Sequence, residues 1–189
     1  MAEFHFVEDY ERHVTDLLAQ HSRQEAMELA VGGNWAEIGS LQASILRHFG
    51  LRDGHTIIDL GCGSGRTAAA LQRVVSINYI GVDIIQRLLD YASEICPDYN
   101  FVNHRALSIP APDKSAHMIC SFSLFTHLLH HETYLYLEDA ARVLKTSGLV
   151  VFSFLEMRMP SHWPPFMTSV EHARSQTSFH LNQFMKEIR

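Results

Sequence analysis

Apolar positions in the first fifty residues recur at helical spacing. Val7, Tyr10, Val14, Leu17 and Leu18 share one helical face, and Ile38, Leu41, Ile45 and Phe49 share another, with Gly32-Gly33-Asn34 breaking the chain between them. The pattern predicts a helical segment over residues 1–50 that stops at Gly50. The period then changes. Short apolar runs at Thr56–Leu60, Tyr79–Val82, Asn100–Asn103, Met118–Phe122 and Leu149–Leu155 read as strands. Helical stretches at Thr67–Val75, Arg87–Ile95 and Glu132–Leu144 separate them, and Lys145-Thr146-Ser147-Gly148 reads as a turn into the last strand. Near-continuously apolar strands alternating with helices imply a parallel sheet covered on both faces, and right-handed crossovers make it doubly wound. Three prolines in Met159–Pro165 predict a loop, and Leu181, Phe184, Met185 and Ile188 predict a final amphipathic helix.

This pattern divides the chain into an N-terminal helical segment (1–50), an α/β core (51–155), and a loop with a C-terminal helix (156–189). A length of 189 residues suits one core. Hydrophobic residues at 47% and charged residues at 19% are ordinary for a soluble globular protein. A net charge of −6 argues against a nucleic-acid partner or an anionic membrane surface. No apolar run reaches the length of a membrane span, and the first residues lack the apolar stretch of a secretion signal. Cys62, Cys96 and Cys120 are scattered and odd in number, so neither a disulfide framework nor a metal spacing is suggested, and a cytoplasmic location is expected.

The chemistry concentrates where the first strand ends. Ile57-Ile58-Asp59-Leu60-Gly61-Cys62-Gly63-Ser64-Gly65-Arg66 follows a strand and opens a helix. Its glycines let the backbone turn sharply and approach a ligand, and the helix start beyond them offers free amide donors to a carboxylate. A dinucleotide fingerprint requires glycine at the sixth position, where this chain has Arg66. Asp59 suits a ligand with an ammonium group better than one with a pyrophosphate. Asp83 ends the second strand, about 20 residues after the glycine bend, at the position where a carboxylate can accept both hydroxyls of a ribose.

These segments resemble a known family. IIDLGCGSGR is similar to the first motif of the class I S-adenosylmethionine-dependent methyltransferases, and Tyr79-Ile80-Gly81-Val82-Asp83-Ile84 to the second. Ser108–Ser115 resembles the family's loop before its fourth strand, and Phe125–Leu129 through Ala140–Leu149 resembles the segment that leads into its fifth. The similarity runs in register over roughly residues 30–155. It implies a Rossmann-like, mostly parallel α/β sheet with an N-terminal helical extension, S-adenosyl-L-methionine as cofactor, and a small-molecule substrate. Asp59, Gly61, Cys62, Gly63 and Gly65 would hold the methionine end. Asp83 would hold the ribose, and Ile84 would pack on the adenine. The backbone of Ala106 and Leu107 would face the adenine edge, with Phe122 and Ser123 beside the sulfonium.

The chain departs from that pattern in three places. Arg105 stands where the family commonly has an acid, so it would stack on the adenine ring, or Asn103 would serve in a shifted register. His117 replaces the usual Asp before the fourth strand. The family's last two antiparallel strands are missing from the pattern, so either the chain is a fragment or a partner, such as a second copy in a homodimer, covers the sheet edge.

Methyl transfer to a hydroxyl or amine needs a base titrating near working pH. His127, a few residues past the fourth strand, is the first candidate, and capping or packing the next helix is its alternative role. His130 and His131 are expected to face solvent. The H-x-x-H-H-E spacing at His127–Glu132 matches no common zinc signature, so no metal is expected. Trp35 would either close over the ligand or pin its helix to the sheet. His172 and His180 receive no assignment. Two functions follow: methyl transfer to an oxygen or nitrogen of a small molecule, or a non-catalytic S-adenosylmethionine-binding or interaction protein on the same fold. A nicotinamide enzyme is disfavoured by the glycine spacing and by Asp59.

Overall fold

The computed structural model describes residues 7–156, 158–164 and 166–167. Three helices open it: α1 (Val7–Gln20), α2 (Arg23–Leu29) and α3 (Trp35–His48). The N-terminal helical run breaks at Ser22, whose hydroxyl accepts from the Glu25 amide (3.3 Å) and caps α2. Gly32, Gly33 and Asn34 then take three consecutive left-handed conformations (φ 90°, 67° and 45°), which swings the chain into α3.

Five strands follow: β1 (Thr56–Leu60), β2 (Asn78–Asp83), β3 (Asn100–Asn103), β4 (Ala116–Ser121) and β5 (Leu144–Phe152). They alternate with α4 (Arg66–Leu71), α5 (Gln86–Ile95) and α6 (His130–Val143). All pairings are parallel, in the order β3-β2-β1-β4-β5. The chain therefore changes direction across the sheet between β1 and β4, and such a switch leaves a crevice at the carboxyl ends of the strands.

Adjacent residues in the central strands are both buried because they face opposite layers. Ile57, Tyr79, Met118 and Cys120 enter one core, and Ile58, Leu60, Val82 and Ile119 the other. A third cluster, formed by Val14, Met27, Ile85 and Leu88, docks α1 and α2 on α5. Ion pairs also cross this junction, Arg23 to Glu94 (2.6 Å) and Arg105 to Glu11 (2.8 Å). Both are about half exposed and screened by solvent, so each adds little, and the apolar cluster does most of the docking.

One expected turn is instead part of a strand. Ala116 pairs with Leu144 and Met118 with Leu149, so two steps along β4 face five along β5. Lys145–Gly148 is the resulting bulge, with Ser147 left-handed (φ 66°). Trp35 packs edge-on against Tyr91 (6.4 Å) and joins the core. The helix expected around Leu181–Ile188, with His172 and His180, lies outside the described residues. No helix among those described is long and apolar enough to cross a membrane.

Candidate cofactor site

The crevice is built around the glycine bend after β1. The amides of Gly61 and Cys62 both donate to the Val82 carbonyl (2.8 and 3.1 Å), fastening the bend to the end of β2. Gly61 and Gly63 are left-handed (φ 72° and 54°). A Cβ on Gly63 would lie 2.6 Å from Val31 Cγ1, and one on Gly61 would lie 3.0 Å from Leu124 Cβ, so side chains there would fill the cradle.

Asp83 closes the bend from the other side. Its Oδ2 accepts from the Gly63 amide (2.9 Å) and its Oδ1 from the Ile85 amide (2.9 Å). Burial raises its pKa above the usual carboxylate range, and the N–H donors from Ile85 and Gly63 oppose that rise. Each oxygen keeps a lone pair, so the fixed carboxylate can still accept two hydroxyls.

Asp59, 2% exposed, accepts a 2.6 Å hydrogen bond from the Tyr79 hydroxyl. Burial pushes its pKa up to about 6, against the opposing hydrogen bond from Tyr79. An acid with a folded pKa above its unfolded value costs stability above the folded pKa, and the cost is released as pH falls from about 6 towards 4. Asp59→Asn keeps an acceptor for Tyr79. Urea unfolding should show it gaining roughly 1–3 kcal/mol on the wild type at pH 7 and little at pH 4. An equal difference at both pH values would contradict the raised pKa.

Between these groups lies a cavity of about 490 Å³ with mainly apolar walls, of the size that holds small ligands. Of the residues expected from sequence, Asp59, Gly61, Cys62, Gly63, Asp83, Ile84, Phe122, Ser123 and His127 line it. The Cys62 thiol is pushed well above its ordinary pKa by burial and stays un-ionised. Ser123 leaves β4 in the left-handed region (φ 65°), its amide donating to Ser153 Oγ (2.8 Å) while its carbonyl accepts from the Thr126 hydroxyl (2.6 Å). His127 lies edge-on to the Tyr10 ring (centroids 6.5 Å apart), and the Tyr10 hydroxyl donates to the Ala30 carbonyl (2.6 Å). His130 and His131 are exposed at the start of α6.

Five residues given a cofactor role from the sequence do not line the cavity. Arg105 turns outward, its Nε donating to the Ile84 carbonyl (3.3 Å) and its Nη2 to Glu11 (2.8 Å), so it ties α1 to the sheet. The Ala106 carbonyl accepts from the Ser108 amide (2.8 Å) and the Tyr136 hydroxyl (3.4 Å), and Leu107 packs on the core. The Asn103 side chain donates to the Ile84 carbonyl (3.3 Å) and is likewise absent from the cavity wall. His104 lines it instead: its amide donates to the Asp83 carbonyl (3.0 Å), and its Nε2 lies 2.9 Å from Ser108 Oγ. Gly65 serves packing. At φ 85°, a Cβ there would lie 2.9 Å from Ala92 Cβ, so its absence lets α4 close on α5. Gly65→Ala is expected to destabilise by about 1–3 kcal/mol, seen as a lower Tm with cofactor-site residues untouched. An unchanged Tm would contradict this packing role.

Sequence reasoning missed Tyr10, His13, Arg66, His104 and Tyr136, all in the cavity wall. In the sequence Tyr10 is one more apolar helix position, and Arg66 only a break in a glycine fingerprint. Among the described residues no group of three His, Cys, Asp or Glu side chains is arranged to hold a metal ion.

The strand order, the glycine bend and the acid at the tip of β2 define a nucleoside-binding α/β protein. A family model described as a methyltransferase domain matches residues 57–148, and one described as protein-L-isoaspartate (D-aspartate) O-methyltransferase matches residues 9–102. The sterol 24-C-methyltransferase of Pneumocystis carinii is 31% identical over 111 residues, 56% of this chain and 29% of that protein. A solved chain from the Haloferax volcanii complex between the Trm112 methyltransferase activator and a methyltransferase superposes with a TM-score of 0.67 at 19% identity, over 98% of this chain and 72% of that one. Phosphoethanolamine N-methyltransferase 1 of Haemonchus contortus, solved with phosphoethanolamine and S-adenosylhomocysteine, gives a TM-score of 0.61 at 17% identity, over 80% of this chain and 33% of that one. The chain thus spans less than a third of the length of that sterol methyltransferase. Each family model matches just under half of the chain, both describe methyltransferases, and the fold is the one these solved methyltransferases share.

Proposed function

We propose that the chain binds S-adenosylmethionine in the crevice at the carboxyl ends of β1, β2 and β4 and transfers its methyl group to an oxygen or nitrogen of a small molecule. The observation that carries this reading is the cavity of about 490 Å³ with Asp59 and Asp83 in its wall on either side of a glycine bend. The bound cofactor supplies an electrophilic methyl carbon, and the protein's part is orientation and exclusion of water. Asp83, its carboxylate held by the Gly63 and Ile85 amides, accepts the ribose hydroxyls. Asp59 faces the ammonium, and Ile84 packs on the base. Because a cation beside Asp59 favours its charged form, affinity for S-adenosylhomocysteine should strengthen as pH rises through about 6.

An acceptor hydroxyl or ammonium must lose a proton. His127 supports that role because it lines the same cavity, beyond β4. The apolar walls contributed by Tyr10, Leu29 and Leu155 favour a compact organic acceptor over a polyanion. Relatives named for a sterol and for phosphoethanolamine are consistent with a small molecule. Arg105, which stands where the family commonly has an acid, bonds the Ile84 carbonyl and Glu11 and does not line the cavity.

Separate calorimetric titrations with S-adenosylhomocysteine and NAD test the reading. Saturable binding of the first and none of the second is expected. Tight NAD binding with no response to S-adenosylhomocysteine would end it.

A further inference from the structure

His117, the second residue of β4, stands where the resemblance leads one to expect Asp, and the cofactor crevice makes no use of it. In a parallel sheet the amino ends of the strands lie together. His117 therefore meets His55, just before β1, and Lys145, at the start of β5, at the opposite end of the sheet from the crevice. The three side chains share the wall of a second cavity, of about 120 Å³, with Phe49, Leu149 and residues 146–148 of the β5 bulge. That bulge brings Lys145 to His117. Its extra residues fold back on themselves: a Cβ on Gly148 would lie 3.0 Å from the Lys145 carbonyl oxygen and 3.2 Å from that of His117. Bulges commonly re-aim a side chain in this way.

The hydrogen bonds around His117 leave two donors facing each other. The Thr56 amide donates to His117 Nδ1 (2.9 Å), so that nitrogen carries no proton, and a neutral ring then carries its proton on Nε2. Partial burial, Lys145 and His55 all lower the His117 pKa, which keeps the ring neutral. Yet Nε2 lies 3.1 Å from Lys145 Nζ, an ammonium with donors only. The His55 ring lies flat on His117, 4.4 Å away with 4° between the planes, and brings a further N–H. No acid is in this wall, and among the described residues no carboxylate pairs with Lys145. A metal ion does not suit the arrangement, because one His117 nitrogen is taken by an amide and the other faces an ammonium. An ammonium beside an imidazole N–H calls instead for an oxyanion, with one oxygen for each donor. The cavity is smaller than the roughly 300 Å³ or more of an ordinary small-molecule pocket, so it fits one tetrahedral anion or a small ester of it. Phe49 and Leu149, both about half exposed, give the body of an ester an apolar surface to lie on.

We propose that His117, Lys145 and His55 form a phosphate-binding site at the amino ends of the strands, in which one phosphate oxygen accepts from the His117 Nε2–H and another from the Lys145 ammonium. The site lies apart from the methyl-transfer crevice and stands whether or not that reading does.

The test titrates inorganic phosphate and phenyl phosphate separately into the full chain at pH 7 and constant ionic strength. The ring nitrogens of His55 and His117 and the Thr56 amide are followed by NMR. Saturable shifts at these groups, with a dissociation constant of about 1 mM or below for at least one probe, are expected. Lys145→Gln should weaken binding by about 10-fold or more, and His55→Phe, which keeps a stacked ring without its N–H, by a smaller factor. His117→Asp puts a carboxylate where the phosphate would sit and should abolish binding. An amide spectrum unchanged away from the site shows that a variant is folded. Should His117→Asp fail that check, Lys145→Gln at the half-buried rim decides alone. Phenyl phosphate binding several-fold tighter assigns the anion to an ester lying on Phe49 and Leu149, and inorganic phosphate binding as well or better assigns it to the free ion; both meet the proposal. Shifts that fail to saturate by about 10 mM with either probe would overturn the site. Equal affinity in the wild type and Lys145→Gln would overturn it too.

Discussion

Replacing Asp83 with alanine is expected to cut affinity for S-adenosylhomocysteine by about 10–100-fold, or ~1.5–3 kcal/mol, in a calorimetric titration at pH 7. Two losses combine. The ribose hydroxyls lose a charged acceptor, and the amides of Gly63 and Ile85 lose the oxygens that now fix the glycine bend to β2. Asp83→Asn is not a conservative control, since its amide would point a donor at one of two N–H donors. It should lose much of the same affinity despite its matching shape. An unchanged dissociation constant in either variant would contradict the ribose role.

The second large effect is expected at His127. If it takes the acceptor's proton, His127→Ala should lower turnover by about 100-fold or more while leaving S-adenosylhomocysteine affinity within a few-fold. The measurement is the initial rate of S-adenosylhomocysteine formation with an accepted substrate, alongside direct cofactor titration. The substitution also removes the edge contact with Tyr10, so a modest rise in KM is expected on the acceptor side. Turnover at the wild-type level would leave His127 a packing residue. Loss of cofactor affinity in step with turnover would make it part of the cofactor wall.

The sheet was legible in the sequence because its central strands, β1 and β4, are buried on both faces. Adjacent apolar residues such as Ile57 and Ile58 have no helical stripe to belong to, and Gly61 after β1 and Asp83 at the end of β2 stop those two runs where the crevice opens. The glycine bend and Asp83 were legible for a related reason: left-handed turns and strand-tip acids leave a mark in residue type. Positions decided by one residue of register were not. After β3, the amide of His104 donates to the Asp83 carbonyl, which sets His104 at the cavity and sends Arg105 outward to Glu11. The two neighbours point opposite ways, and nothing in their composition says which way. The bulge at Lys145–Gly148 was hidden similarly, because Thr146, Ser147 and Gly148 are also what a turn would use. Tyr10 escaped notice because an aromatic ring on an apolar helix face reads as core, whereas here it also walls the cavity.

The account depends on the nucleoside sitting between the glycine bend and the tip of β2. A crystal structure grown with S-adenosylhomocysteine tests this most directly. The predicted result is ligand density in that cavity, with ribose hydroxyls on the Asp83 carboxylate and the amino-acid end beside Asp59. Ligand bound elsewhere, or the cavity closed by Val31 and Leu124 with Asp83 still satisfied by the Gly63 and Ile85 amides alone, would contradict it.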